Sequence, residues 1–81
     1  MGSDARQAAL ERHGLTESQD GFDMTLRGLQ RGLGRARALR AQGDPEALRM
    51  RALDPSDPVR VRYALCIQIE AFHAELHRSG I

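Results

Sequence analysis

The chain has 81 residues, a formal net charge of +1 and a hydrophobic fraction of 41%, with aromatics at only 4%. That length confines it to a single domain (1–81), and a domain so short buries only about 60% of the surface its unfolded chain exposes. The near-neutral balance excludes a polyelectrolyte, the lone Cys66 excludes an intrachain disulfide, and no run approaches the roughly 20 apolar residues that span a bilayer.

With Phe22, Phe72 and Tyr63 as its aromatics, core volume falls to Leu, Ile, Val, Met and Ala. Leu and Ala favour helix, as do the surface Arg, Gln and Glu, and β-branched residues cluster only between Val59 and Ile69. The expectation is an all-α fold: an antiparallel helical hairpin with two additional short helices, three to four in all, completing its core as a homodimer helical bundle. All twelve basic residues are arginine. Codon usage in a GC-rich bacterial or phage genome accounts for that, although guanidinium groups also suit carboxylate and phosphate partners.

Residues 3–13 read as a first short helix, with Ser3 or Asp4 as N-cap, Ala8, Ala9 and Leu10 as a weak apolar face, and Gly14 as the stop. The same stretch alternates charged and small residues and lacks the apolar run of a signal peptide, so a cytoplasmic protein is expected. A long helix over 16–42 follows. Thr16 opens it with Gln19 in capping-box position and Leu15 as a staple. Glu17, Asp20 and Asp23 near its start, and Arg35, Arg37 and Arg40 near its end, complement the helix dipole. Phe22, Leu26, Leu29, Leu33 and Ala36 then form an apolar seam at helical period. Arg27, Arg31 and Arg35 occupy the opposite face, and Gly28, Gly32 and Ala36 make a small-residue row beside the seam. Glycine inside a helix costs about 1 kcal/mol relative to alanine, so two at this spacing predict close approach by a neighbouring backbone.

Asp44-Pro45-Glu46 starts a third, short helix over 44–53 that carries Leu48, Met50 and Leu53. Asp54 to Pro58 breaks the chain. Asp57-Pro58 then opens a last long helix over 57–79, with Gly80 just beyond it. Val61, Leu65, Ile69, Phe72 and Leu76 give this helix a second seam, expected to face the first in an antiparallel pair.

Tyr63, Ile67, Leu39, Met24, Met50 and Ile81 fall outside such a two-seam hairpin. Surplus apolar surface of this kind points to a non-catalytic interaction module, an adaptor, chaperone-like protein or inhibitor (antiactivator) that binds another protein or itself through a helix face. Tyr63, Ile67 and Phe72 would anchor the contact, with Arg27, Arg31 and Arg35 at the rim. In outline such an architecture is similar to that of secretion chaperones, antiactivators and phage-encoded inhibitors.

Two other readings draw on charged clusters. Arg27, Arg31 and Arg35, with Arg37 and Arg40 nearby, would track a phosphate backbone in a nucleic-acid-binding regulator, and residues 44–67 read loosely as helix-turn-helix with Arg60 and Arg62 at the second element. The acidic turn between those two elements opposes that use. On the last helix Cys66, Glu70, His73 and His77 share one stripe. Glu70, His73 and His77 are the candidate metal ligands there, and the Glu-Ala-Phe-His stretch resembles one half of the ligand motif of ferritin-like bundles. Asp20 and Asp23 are the candidate carboxylates to face them. No phosphate loop, nucleophile motif, zinc-finger spacing or dinucleotide fingerprint occurs, so neither an enzyme nor a cofactor is expected.

Overall fold

The computed structural model describes residues 2–80, with side chains from Asp4 onward. In chain order the elements are α1 (Gly2–Arg12), β1 (Leu15–Ser18), β2 (Gly21–Met24), α2 (Leu26–Ala41), α3 (Pro45–Arg51) and α4 (Pro58–Arg78). The three later helices start where capping chemistry puts them. Thr25 accepts from the Gly28 N–H, Asp44 from Ala47 and Asp57 from Val59, and proline follows each aspartate where its missing N–H costs nothing. α1 stops at Gly14, whose φ of +66° suits a residue without a Cβ.

The fold is therefore mostly helical but not all-α. The residues expected to open the second helix instead form an antiparallel β-hairpin, pairing Leu15 with Met24, Thr16 with Asp23, Glu17 with Phe22 and Ser18 with Gly21. Thr16 does not cap a helix; its hydroxyl donates to the Asp23 carbonyl, and the Ser18 hydroxyl donates to that of Gly21. The turn needs an unusual backbone, and Gly21 supplies it at φ +131°. Hairpin geometry also turns Phe22 and Met24 inward together, two residues apart as strand alternation requires, onto the core that holds Leu15.

α2 and α4 do not form an antiparallel hairpin either. Leu26 and Leu29 share a groove with Pro58 and Val61, Gly32 meets Ala64 and Gln68, and Leu39 shares a depression with Ile67 and Glu70. The two helices thus run in the same sense, with α3 as the return stroke between them. Glycine makes their contact close. A Cβ on Gly32 would lie 3.2 Å from both the Cβ and the carbonyl oxygen of Ala64. Gly28 approaches Gly14 so tightly that a Cβ on either would collide with the backbone of the other. The expected close approach is real, and part of it is made to the α1–β1 corner.

The core lies between α1, the hairpin and the later turns of α4. Ala9, Leu10, Leu15, Phe72 and Leu76 are buried there, with Phe22, Met24, Leu65 and Ile69 packed against them. It closes within one chain, so the homodimer helical bundle finds no support. Among the described residues no helix is long and apolar enough to cross a membrane.

Candidate functional site: the groove between α2 and α4

Because small residues set the α2–α4 spacing, the larger side chains beside them have no opposing layer. Leu26 and Leu29 on α2 and Pro58, Val61 and Leu65 on α4 line an open groove of about 630 Å³, closed at one end by Asp23, Met24 and Thr25 and bordered by Arg62. It continues toward Leu33, Pro55 and Arg60. Leu26 is 73% exposed, and Leu33 and Val61 are exposed as well. Val59 and Leu48 are also exposed, but neither lines this groove.

The seams read from the sequence thus have a different fate from the one expected. Leu26, Leu29 and Leu33 do face Val61 and Leu65, but across an open cleft. Phe22 left the helix for β2, and of the first seam only Ala36 is fully buried. The deepest stripe of α4 is instead Ala64, Gln68, Phe72 and Leu76.

The predicted contact residues divide in the same way. Phe72 is 0% exposed in the core, packed edge-on to Phe22 with ring centroids 5.8 Å apart, so it has no surface to offer a partner. The guanidinium of Arg6 sits 5.2 Å from its ring centroid, a cation–π lid held in place by a bidentate pair with Glu17. Tyr63 and Ile67 are half-buried beside Leu39, Asp44 and Glu46 in a separate shallow depression, where burial and the nearby carboxylates push the Tyr63 hydroxyl up from its ordinary value. Met50 is buried, Met24 packs on the core, and Ile81 lies outside the described residues. Arg27, Arg31 and Arg35 are all exposed on α2.

The metal-ligand stripe does not assemble. Among the described residues no three His, Cys, Asp or Glu side chains come together to hold a metal ion. Glu70, His73 and His77 are exposed, His73 lies against the Phe22 and Phe72 rings, and Asp20 and Asp23 sit in the hairpin. Cys66 is an exposed free thiol.

Sequence reasoning missed a polar joint that holds α1 to α4. Gln68 is 0% exposed and its amide donates to the His13 carbonyl at 2.7 Å, satisfying the end of the α1 turn. Arg12 makes a bidentate pair with Glu75, at 2.6 and 3.1 Å, which holds the Glu75 carboxyl below its usual range. The His13 ring is buried beside them, its Nε2 3.4 Å from a Glu75 oxygen without hydrogen-bond alignment. Burial pushes the His13 pKa down; Glu75 opposes that, and Arg35 and Arg31 reinforce it. The signal available in the sequence was Gln68 itself, a polar residue on the inner side of α4.

The groove, its arginine border and this joint are features of the chain's own geometry. No known protein family matches the chain, and neither a curated protein nor a solved structure matches it at a significant level.

Proposed function

We propose that this protein is a non-catalytic interaction module, acting as an adaptor, chaperone-like factor or inhibitor, and that it binds another protein through the helix face formed by α2 and α4. The observation that supports it is the open apolar groove, with Leu26 projecting 73% of its surface to solvent at the groove's lip. Leaving a large aliphatic side chain so exposed forgoes about 1.5–3 kcal/mol of burial, which a bound partner would recover. A cytoplasmic setting belongs to the same reading, since the exposed, unpaired Cys66 suits a reducing compartment.

Site-specific photocrosslinking in cells of the natural host tests it. A photoreactive side chain at position 26 or 61 should yield a discrete protein adduct. The same group at Leu48, which is exposed and apolar but outside the groove, should not. Equal adducts from all three positions, or none from 26 and 61, would remove the groove from consideration.

Nucleic-acid binding stands as a second reading because Arg27, Arg31 and Arg35 are exposed and form no ion pair among the described residues. Backbone binding of that kind would use the outer face of α2 and leave the apolar groove unused.

A further inference from the structure

Little apolar surface holds α1 in place. Its one large aliphatic residue is Leu10, buried with Ala9 against Leu15, Phe72 and Leu76. The rest of its attachment is polar. Arg6 pairs with Glu17 of β1 and covers the Phe72 ring, Arg12 pairs with Glu75 of α4, and Gln68 donates to the His13 carbonyl. Both ion pairs reach solvent, where such contacts contribute little. An isolated helix of 11 residues is also too short to persist without its packing.

The chain just beyond α1 is anchored by contrast. The Gly14 carbonyl accepts from both the backbone N–H and the hydroxyl of Thr25, each at 2.8 Å, and Gly14 packs closely on Gly28. His13 sits between the weakly held helix and this fixed corner. Its ring is buried, and neither ring nitrogen has a hydrogen-bond partner among the described residues. The Oε1 of Gln68, whose amide nitrogen holds the His13 carbonyl, is orphaned too. Unpartnered buried polar groups cost stability, and those found among the described residues all lie at this joint. The groups facing the ring are Glu75 of α4, Arg12 of α1, and Arg31 and Arg35 of α2. A proton on His13 therefore adds a cation beside three arginines, opposed by one carboxylate that already serves Arg12.

We infer that α1 is a lid hinged at His13 and Gly14, and that protonation of the His13 ring releases it from α4. When the lid opens, the imidazolium reaches water and the Arg12–Glu75 pair separates. Phe72 and Leu76 then lose the cover of Ala9, Leu10 and Arg6. Burial holds the ring of the closed state below its ordinary value of 6.5, so the open state binds more protons. Opening thus becomes easier as pH falls through that value. None of the side chains of this joint lines the α2–α4 groove, so the lid does not depend on what the groove binds.

Amide hydrogen exchange, read as protection factors at pH 7.5, 6.5 and 5.5, tests the lid. In wild type the hydrogen-bonded amides of α1 should be less protected at pH 7.5 than the central amides of α2 and α4. Their protection should fall about tenfold by pH 5.5. In a His13→Gln variant, which keeps the carbonyl that Gln68 uses, it should change by less than about twofold. A His73→Gln, His77→Gln variant leaves His13 as the sole histidine and should keep the wild-type fall. That second variant carries the test even where His13→Gln does not fold. Protection of α1 equal to that of α4 would overturn the lid, because α1 would then open only with the whole fold. A fall that persists in His13→Gln, or that vanishes in the double variant, would overturn His13 as the trigger.

Discussion

His13 shows how one residue ties stability to pH. Its ring is buried at the α1–α4 joint, so the folded state resists protonation more than the unfolded chain, whose histidine titrates near 6.5. A group with a depressed folded pKa binds more protons when unfolded, so stability is full above the unfolded value and falls as pH drops toward the folded one. The groups facing the ring are Glu75 of α4, Arg12 of α1, and Arg31 and Arg35 of α2. Glu75 and Glu17, both depressed by their arginine partners, withdraw stability only in a more acidic window, below about 4.5. Resistance to urea should thus fall as pH is lowered from about 7.5 to 5.5 in wild type. A His13→Gln variant, which keeps the backbone carbonyl that Gln68 uses, should be flat there. An equal slope in both would show that His13 does not titrate on unfolding.

At the scale of the element, α2 is a helix whose glycines are not equivalent. Gly34 faces open space, so Gly34→Ala should stabilise the protein by about 0.5–1 kcal/mol through helix propensity alone. Gly28→Ala gains the same propensity yet drives a Cβ into the Gly14 backbone and the Met24 side chain, and should be destabilising overall. Denaturant midpoints of the two variants should therefore move in opposite directions. Element boundaries were legible wherever an Asp-Pro pair supplies a cap and a fixed φ, as at Pro45 and Pro58. The hairpin was not, because Thr16 and Gln19 match a capping box while Asp20-Gly21 followed by Phe22 and Met24 carries the competing turn-and-strand pattern. Tertiary contact settles that competition: as a strand, Phe22 reaches Phe72.

For the whole molecule, core and surface have exchanged some of their expected members. Phe72 fills the core between α1, the hairpin and α4, and Phe72→Ala should cost about 3–5 kcal/mol, enough to unfold most of a domain this small. Leu26→Asn should leave the thermal midpoint within a few degrees of wild type, since the side chain is already 73% exposed. Circular dichroism melts of the two variants separate core from groove; a collapse of the Leu26 variant would mean that the groove is structural. In the candidate site, Leu26, Leu29, Leu33, Val61 and Leu65 were each visible as apolar positions at helical spacing. That they line an open cleft was not.

The sequence by itself determined the short helix at Pro45 and the long helix at Pro58, with their Asp-Pro caps, and the close approach at Gly28 and Gly32. All of these follow from interactions within a few residues or from the one residue type that lacks a Cβ. Only the tertiary structure decided that Leu15 to Met24 is a hairpin, that α2 and α4 run in the same sense, and which apolar stripe is buried. Helical periodicity reports that a face is apolar but not what lies opposite it. With glycine setting the α2–α4 distance, the small residues meet and the leucines beside them are left facing a cleft.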